Sequence, residues 1–473
     1  MNSVPFQGLY YRSPALVQNL MISVYSLHLQ HDRYGGASRA YVDDLLRRER
    51  APASEIARQQ LEALRARALL ALERVPAYRD LSGRAGVVRS ASRAEEILEV
   101  FPILEKEAVR RDPADYVPEG LDRSKLRKGK TSGTTGSPLT LYRTVEGLRR
   151  NFAFFARLRR WRNLSHWSRT STLMGRIPLS ADKQVGPFWR VSWTTRNQFL
   201  SSYHLSAETI PNYARALVAH RPEQIVCYPS SGYAVARAIS QLGLRPRGIR
   251  AVFTTAETLT AEQRETMEAA FGCPVADQYG QAEWTIWISQ CERGTYHLHP
   301  EYGFLEVVDS EGRPVTEGSG RALGTGFIND AMVLMRYDTG DRIAVARDQR
   351  CDCGRAFPVI AAIEGRQDDL IVTPDGRLVG RLDPAFKGQY GVVEAQIEQT
   401  ALDRLEIRVV PDERWDAVAE QELRQGLRER VGPAMTLDIT RVAAIPRTSN
   451  GKFRAVIGLA SPCPEVTTRD ARP

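Results

Sequence analysis

A short run of hydroxyl side chains and glycines gives the first indication of chemistry in this chain. The run reads Lys130-Thr131-Ser132-Gly133-Thr134-Thr135-Gly136-Ser137-Pro138. Glycine lets backbone N–H groups turn toward an anion, and hydroxyls add donors without adding charge, so the loop suits a polyphosphate. It is not a Walker A loop. Ser124 holds the position of that motif's first glycine, and the residues after Pro138 alternate like a strand instead of opening a helix.

Four later segments carry aromatic, carboxylate, arginine and lysine side chains. They are Ala276-Asp277-Gln278-Tyr279-Gly280-Gln281-Ala282-Glu283, Arg336-Tyr337-Asp338-Thr339-Gly340-Asp341, Glu364-Gly365-Arg366-Gln367-Asp368-Asp369 and Ile445-Pro446-Arg447-Thr448-Ser449-Asn450-Gly451-Lys452. Each alone fits an ordinary turn, and the second predicts a carboxylate in a tight turn. Together with the first loop, their order and spacing resemble the adenylate-forming superfamily: acyl-CoA synthetases, peptide-synthetase adenylation domains and luciferases. The resemblance covers essentially the whole chain.

This resemblance implies an enzyme that uses ATP to activate a carboxylic acid as an acyl-adenylate, releases pyrophosphate and transfers the acyl group to an acceptor. Such a reaction needs donors, a metal ion and a mobile cation around the phosphates. The resemblance assigns the β- and γ-phosphates to six loop residues, namely Thr131, Ser132, Gly133, Thr134, Thr135 and Gly136.

The resemblance also assigns the nucleoside contacts. Tyr279, followed by Gly280, is expected against the adenine. Asp341 is expected to accept the ribose hydroxyls, because these donors favour a carboxylate, and Arg366 to assist. A backbone strip along the base is expected at Ala256, Glu257 and Thr258, which also fit a simple strand end.

Three residues carry the catalytic roles that the resemblance implies. Glu283 is expected to help bind Mg²⁺, and Lys452 to bridge the attacking carboxylate and the α-phosphate. Asp368 is expected to be the hinge about which a small C-terminal domain swings. That swing would bring Lys452 in for adenylation and out for transfer.

Further strings select a branch of the superfamily. Four strings resemble relatives of phenylacetate–CoA ligase and, among these, the capsular-polysaccharide-biosynthesis (CapK-type) group. They are Val75-Pro76-Ala77-Tyr78-Arg79, Ser202-Tyr203-His204-Leu205, Tyr228-Pro229-Ser230-Ser231 and Cys351-Asp352-Cys353-Gly354-Arg355. His204 falls about where this family places a residue that gates the acid pocket. The alternative for a lone histidine is a satisfied core or surface residue.

One segment departs from the pattern of CoA ligases. Those enzymes usually follow the Gly-Arg-x-Asp-Asp motif with a short glycine–arginine turn and a helix beginning Glu-Ile-Glu. Here Asp369 is followed by an apolar stretch and by Pro374-Asp375-Gly376, which predicts a hairpin turn. Adenylation is therefore expected, whereas CoA as the acceptor is doubtful. An amine, a saccharide hydroxyl and a carrier-protein thiol stay open.

A separate group of side chains predicts a structural zinc site. Cys291 and His297 follow the adenine motif, and Cys351 and Cys353 precede the hinge. Three sulfurs and one imidazole form a closed tetrahedral set, which suits structural rather than catalytic Zn²⁺. His299 competes with His297 for the fourth position. The alternative is a set of reduced cysteines in a turn beside a surface histidine.

Composition limits the other functional classes. The six cysteines are scattered, so we expect no disulfide framework and a cytoplasmic protein. No apolar stretch of eighteen residues predicts a membrane span, and the run from Ala15 to Leu29 lacks the features of a signal peptide. The net charge of +9 raises a nucleic-acid alternative, but acids accompany the bases along every segment, so no nucleic acid is expected. A non-catalytic nucleotide-binding scaffold is the other alternative, and intact Glu283, Asp341 and Lys452 argue against it.

The surrounding elements predict an α/β protein with a large N-terminal domain of sheets flanked by helices and a small mobile α+β C-terminal domain. The predicted ranges are 1–367 for the adenylation domain, 368–460 for the lid and 461–473 for a disordered tail. Local patterns predict a helix from Ser54 to Arg79, an N-cap at Ser206 and a capping box of Thr260 and Gln263. The acid and the oligomeric state stay open, and an oligomer is compatible with the sequence.

Overall fold

The fold is seen in a computed structural model, which describes residues 7–130, 139–174, 179, 185–205, 208–347, 349–366, 371–374, 378–379, 382, 391–447 and 453–459. The chain separates into two compact units. The larger contains the described residues up to Ile363, and the smaller contains all described residues from Glu364 onward.

The larger unit combines helices with three sheets. Its α-helices are α1 (Gln7–Arg12), α2 (Ala15–Tyr34), α3 (Ser38–Arg48), α4 (Ala53–Arg74), α5 (Ala85–Ser90), α6 (Ala94–Leu98), α7 (Lys106–Arg111), α8 (Val145–Arg160), α9 (Ile210–His220), α10 (Pro229–Gln241) and α11 (Ala261–Phe271). Its strands are β1 (Arg127–Lys130), β2 (Thr140–Arg143), β3 (Thr170–Met174), β4 (Trp189–Ser192), β5 (Asn197–Ser201), β6 (Gln224–Cys227), β7 (Ala251–Thr255), β8 (Val275–Gly280), β9 (Trp287–Gln290), β10 (Tyr296–Leu298), β11 (Gly303–Val308), β12 (Gly318–Gly326), β13 (Tyr337–Val345), β14 (Val359–Ile360) and β15 (Ala362–Arg366), which continues into the smaller unit.

The central sheet has nine strands in the order β14-β10-β9-β8-β7-β6-β3-β5-β4. Its middle strands β5, β3, β6, β7 and β8 are parallel, and the remaining strands pair antiparallel. Helices α9, α10 and α11 connect strands of the parallel part, as the alternation of helix and strand patterns predicts. The carboxyl ends of β6, β7 and β8 therefore lie along one edge of the sheet.

Local signals mark both ends of α11, and one predicted helix boundary is wrong. Thr260 and Gln263 form the predicted capping box of α11, which ends at Gly272 in a left-handed conformation. The predicted helix from Ser54 to Arg79 ends as an α-helix at Arg74, because Pro76 forces Val75 into an extended conformation; a 3₁₀ helix follows. The N-cap predicted at Ser206 lies outside the described residues, and α9 begins after Thr209.

The second large sheet has the order β11-β12-β13-β15. Asp341 was predicted in a tight turn, but it lies inside β13. The pairing passes from Asp338 opposite Leu323 to Arg342 opposite Arg321, so residues 339–341 stand opposite Ala322 alone. This bulge, in which Gly340 has a φ of +73°, changes the direction of the strand where Asp341 lies.

The smaller unit is the predicted α+β fold. Its elements are β16 (Ile371–Val372), β17 (Leu378–Val379), β18 (Val392–Ala401), β19 (Arg404–Pro411), α12 (Ala417–Val431), β20 (Thr436–Arg441) and β21 (Val456–Ile457). Strands β16 and β17 pair antiparallel on either side of the predicted hairpin turn, and the main sheet has the order β20-β19-β18-β21. Leu423 and Leu427 of α12 belong to the apolar core of this unit.

The α/β class with a separate C-terminal unit is thus confirmed. None of the described helices has the length and apolar character that a bilayer crossing requires. The predicted hinge residue Asp368 and the predicted tail 461–473 lie outside the described residues.

Candidate functional site

Two of the predicted nucleotide contacts touch each other. Tyr279 is the penultimate residue of β8, and its Oη donates a 2.7 Å hydrogen bond to Oδ2 of Asp341 on the bulge of β13. Burial, and then the negative charge of Asp341, raise the pKa of the Tyr279 phenol well above its usual range. The phenol therefore stays protonated, and the pair presents an aromatic face beside a carboxylate, as a nucleoside site requires.

The predicted backbone strip lies at the same edge of the sheet. It follows β7, whose last residue, Thr255, pairs with Gln278 on β8. Ala256 has a φ of +70°, and Glu257 accepts a 3.0 Å hydrogen bond from the backbone N–H of Ser230 at the start of α10. That bond holds the Glu257 carboxylate at a helix N-terminus, where the helix dipole favours a negative charge.

Gly280 ends β8 where the space for a side chain is tight. A Cβ at this position would lie 3.0 Å from the ring of Trp287, its partner on β9. The glycine therefore lets the end of β8 approach β9 closely.

The carboxylate of Asp277 links neighbouring strands at this edge of the sheet. It accepts hydrogen bonds of 2.6 Å from Thr254 on β7 and from Tyr296 on β10. Burial raises the pKa of Asp277 to about 6 despite these donors. Since both oxygens are engaged by neighbouring strands, we interpret this carboxylate as a structural tie.

Glu283 has partners that sequence reasoning missed. Its Oε1 accepts a 2.8 Å hydrogen bond from Tyr337 Oη and lies 3.9 Å from Lys106 Nζ. The Glu283 side chain is 6% exposed and that of Lys106 is 30% exposed. The cluster thus combines a buried carboxylate with a cation that still reaches solvent.

A short β-bridge explains how Lys106 arrives there. Leu104 donates a 3.0 Å hydrogen bond to the carbonyl of Arg336 and accepts one of 2.9 Å from the N–H of Asp338. This bridge places the start of α7 beside Tyr337. The scarcity of lysine, with seven residues in the chain, is the one sequence signal that draws attention to Lys106.

Strands β1 and β2 flank residues 131–138, the loop that is predicted to bind the phosphates. Strands β1 and β2 pair antiparallel, with Lys130 opposite Thr140, so a strand and not a helix follows the loop, as predicted. The guanidinium of Arg143 lies 4.3 Å from the centre of the Trp284 ring and donates a hydrogen bond to the carbonyl oxygen of Ala282. Burial lowers the pKa of Arg143. The hairpin is thereby joined to the 279–283 segment.

Several predicted site residues lie outside the described residues. These are Thr131, Ser132, Gly133, Thr134, Thr135, Gly136 and Lys452. Of Arg366, only the backbone at the end of β15 is described. Their assigned roles stay predictions.

His204 lies in a 3₁₀ turn directly after β5. Its Nδ1 is 2.7 Å from the hydroxyl of Ser201, and its ring stacks on Phe188 with a centroid separation of 4.7 Å. A stacked, hydrogen-bonded ring is compatible with both the gate and the core interpretations of this residue.

The four predicted zinc ligands come together. One ligand atom from each of Cys291, His297, Cys351 and Cys353 lies within 4.8 Å of all the others. The Sγ atoms of Cys291 and Cys351 are 3.6 Å apart, and Cys353 Sγ is 3.5 Å from His297 Nε2. A disulfide requires about 2.05 Å. Neighbouring ligands around zinc, at about 2.0–2.3 Å from the metal, lie roughly 3.5–3.8 Å apart.

The fold orients the ring of His297 so that one of its nitrogens faces the cysteines. His297 is fully buried on β10, and its Nδ1 lies 3.3 Å from the carbonyl oxygen of Phe357. Because a carbonyl only accepts, the proton belongs on Nδ1, and Nε2 keeps its lone pair toward the cysteines. The cluster joins the β9–β10 hairpin to the segment before β14, at one edge of the central sheet.

His299, the competing ligand, has a different environment. Its Nε2 lies 2.7 Å from the hydroxyl of Ser289, and its Nδ1 contacts Arg157. Burial, and then the charge of Arg157, lower the pKa of His299 well below its usual range. Both ring nitrogens are engaged, so the geometry favours His297.

Comparison with known proteins supports the branch indicated by the motifs. A family profile described as "CapK C-terminal domain" matches residues 371–458. Protein CapK of Staphylococcus aureus is 24% identical over 464 residues, covering 95% of this chain and 98% of that protein. A phenylacetate-coenzyme A ligase of Thermus thermophilus is 26% identical over 450 residues, covering 87% and 98%.

Solved structures support the fold. A 2-hydroxyisobutyryl-CoA ligase, crystallised in the postadenylation state with an acyl-AMP, gives a TM-score of 0.67 at 20% identity and covers 87% of this chain and 91% of its own. The anthranilate CoA ligase AuaEII, in complex with anthranoyl-AMP, gives a TM-score of 0.51 at 16% identity over 71% and 66%. At these identities the likeness is one of fold.

Proposed function

We propose that this chain is an AMP-forming ligase of the adenylate-forming superfamily, as its similarity to CapK, to a phenylacetate-coenzyme A ligase and to the CapK C-terminal profile supports. It uses ATP to convert a carboxylic acid into an acyl-adenylate, releases pyrophosphate and transfers the acyl group to an acceptor. Two contacts in the larger unit carry this proposal. Tyr279 donates a hydrogen bond to Asp341, and the Glu283 carboxylate lies 3.9 Å from Lys106 Nζ.

The described residues support binding of the nucleoside. The ring of Tyr279 faces the adenine, the strip from Ala256 to Thr258 borders the base, and Asp341 accepts the ribose hydroxyls. The phenol–carboxylate bond of 2.7 Å holds both groups in place before the nucleotide arrives. Arg366 assists at the ribose, and the glycine-rich loop donates to the β- and γ-phosphates.

The reaction requires an anion to attack an anion. The acid's carboxylate attacks the α-phosphorus, the bond to the bridging oxygen breaks, and pyrophosphate leaves with the electron pair. Lys452 is proposed to lie between the carboxylate and the α-phosphate, where its charge stabilises the transition state. Magnesium, when bound, neutralises phosphate charge, and the buried carboxylate of Glu283 is a suitable oxygen ligand for it.

We propose Lys106 as a positioning residue for Glu283. Tyr337 and Lys106 both approach Oε1, so they hold the buried carboxylate in one orientation. With 30% of its side chain exposed, Lys106 also adds positive charge where the phosphates are proposed to bind. Its loss is expected to weaken binding of the magnesium–nucleotide complex more than it slows turnover.

The identity of the acceptor is the part of the proposal with two candidates. Coenzyme A is favoured by the phenylacetate-coenzyme A ligase relative. A different acceptor (an amine, a saccharide hydroxyl or a carrier-protein thiol) is favoured by the segment after Asp369, where β16 and β17 form a hairpin instead of the short turn of CoA ligases. The CapK C-terminal profile begins at residue 371, so this departure belongs to a segment shared with CapK.

We propose that the smaller unit is a lid, with residues 1–367 forming the adenylation domain and residues 368–460 the lid that carries Lys452. Asp368 would be the hinge. Proline fixes φ, so Asp368→Pro should impair one half-reaction more than the other. Single-turnover adenylation and acyl transfer from a pre-made adenylate are compared. Equal loss of both steps, or no loss, would count against a hinge.

We also propose that Cys291, His297, Cys351 and Cys353 hold a structural Zn²⁺. The support is the distances of 3.5 and 3.6 Å, the orientation of His297 Nε2 and the closed set of four ligands. The metal would stabilise the sheet edge and leave the chemistry to the other cluster. These reduced thiols, together with the use of ATP, favour the cytoplasm as the compartment.

Trapping with hydroxylamine tests the activity directly. The purified chain is incubated with ATP, Mg²⁺, hydroxylamine and single acids from aromatic, aliphatic and amino-acid panels. We expect AMP, pyrophosphate and a hydroxamate with at least one acid, and His204→Ala should change the acid preference if the ring gates the pocket. Adding CoA without hydroxylamine then separates the two acceptor candidates by thioester formation. No product with any acid would favour the non-catalytic scaffold.

A further inference from the structure

Helix α2 buries polar side chains and exposes an apolar face. The side chains it buries are polar, with Gln18 2%, Ser23 3% and Ser26 5% exposed. Its most exposed large apolar side chains form a stripe on one face, listed as Leu16 69%, Val17 41%, Leu20 55%, Val24 62% and Leu27 46%. Helices on protein surfaces normally have the opposite arrangement, with the apolar stripe against the core.

The buried polar face has a clear task, which is to cover the free edge of the central sheet. The backbone N–H of Val191 on β4 donates to Asn19 Oδ1 at 3.0 Å, and that of Trp193, just after the strand, donates to Ser23 Oγ at 2.9 Å. The Arg190 guanidinium donates to Gln18 Oε1. An uncovered edge strand invites pairing with other chains, and α2 prevents this by satisfying its donors. The apolar stripe is consequently directed away from the sheet.

We infer that this stripe is the interface of a homodimer, in which α2 packs against α2 of a second copy. Leu16, Leu20, Val24 and Leu27 follow each other at intervals of four, four and three residues, which aligns them along one side of a helix. Around a twofold axis near Leu20 and Val24, an antiparallel copy brings Leu16 of one chain to Leu27 of the other. A surface of this kind is complementary to itself.

The exposed area fits a small dimer interface. The five stripe residues leave roughly 500 Å² of surface on one copy at these exposures, so two copies bury about 1,000 Å², the lower bound for a specific interface. A patch of about 500 Å² is in the range of the largest apolar patch on a typical monomer, and such patches are often functional.

The charge pattern favours a second copy over a membrane surface. Helices that lie in a membrane interface are rich in lysine and arginine, which bind anionic headgroups. Between Arg12 and Arg33, covering nearly the whole of α2, the sequence has neither residue. The stripe therefore offers apolar area without the electrostatic attraction that a lipid surface requires. This inference is independent of the proposed catalytic function.

The mass of the full chain in solution, from light scattering after size exclusion over a wide concentration range, tests the proposal. We expect the mass of two 53.0 kDa chains. Leu20→Glu with Val24→Glu should give a folded monomer, because both side chains are exposed on the single copy. The matched control is Val418→Glu on α12, where the side chain is 63% exposed, and it should stay dimeric.

Two outcomes would overturn the proposal. One is a wild-type monomer at every concentration, and the other is a double variant that remains a folded dimer. Sedimentation with phosphatidylserine–phosphatidylcholine vesicles decides the alternative: capture of wild-type monomer that the double substitution abolishes would assign the stripe to a membrane. As a positive check, a mixture of Leu20→Cys and Val24→Cys chains should form a disulfide-linked dimer under mild oxidation, and a mixture of Leu20→Cys and Val418→Cys chains should not.

Discussion

The two side-chain clusters of the larger unit differ in what would complete them. In the first, Glu283, Lys106, Tyr279 and Asp341 bring unlike charges and donors to distances of 2.7–3.9 Å, and part of the cluster still reaches solvent. In the second, four soft ligand atoms lie within 4.8 Å of one another. We propose that the first cluster binds a large ligand and serves turnover, and that the second holds one ion and serves stability.

The largest effect on the rate of adenylate formation is expected at Lys452, the proposed mobile cation. Lys452→Ala should slow acyl-adenylate formation about a hundredfold or more, because the lysine's charge acts mainly in the transition state. The affinity for ATP should change little, and acyl transfer from a pre-made adenylate should survive. Rapid-quench measurement of adenylate in a single turnover checks this, with Lys125→Ala, 83% exposed, as the control. Wild-type rates in Lys452→Ala would remove this residue from the chemistry.

A smaller effect is expected at the residue that positions Glu283. Lys106→Ala should raise the KM for magnesium–ATP about tenfold, which corresponds to about 1.4 kcal/mol, while kcat falls less. Lys106→Arg should restore part of the loss, since it returns the charge. Steady-state kinetics at varied magnesium–ATP measure the split. An unchanged KM together with a lowered melting temperature would make Lys106 a structural residue only.

The smallest effect on turnover is expected at the thiol cluster. Cys291→Ser should lower the free energy of unfolding by at least about 3 kcal/mol through loss of the metal, and leave kcat near the wild-type value at low temperature. Cys273→Ser, at a buried thiol outside the cluster, is the control. Metal analysis should find one zinc per chain in the control and none in the Cys291 variant. A zinc-free wild-type protein that melts unchanged in chelator would contradict the metal site.

Sequence patterns predicted those parts of the site where the residue types alone limit the possible chemistry. Three cysteines and one histidine have few uses together, and the structure assembles them from two distant segments. Tyr279 and Asp341 were assigned through motif order and meet in the fold. Lys106 was missed because a β-bridge at Leu104, not sequence spacing, places it beside Glu283.

The fold shows the same limit. The capping box at Thr260 depends on neighbours three residues apart, so it was predicted and confirmed. The helix after Ser54 was predicted too long, because apolar periodicity continues past the point where Pro76 ends it. The orientation of α2 was beyond prediction. An apolar stripe by itself favours the core, and only the free edge of β4 explains why Ser23 and Asn19 face inward.

Acid-dependent exchange of labelled pyrophosphate into ATP shows whether this chain forms acyl-adenylates. The reaction reports reversible adenylation without reference to the acceptor, so it is independent of the CoA question. We predict exchange that requires magnesium and one class of carboxylic acid, and that is lost in Lys452→Ala. Absence of exchange with every acid of a broad panel, in a folded chain that still binds ATP, would contradict the account.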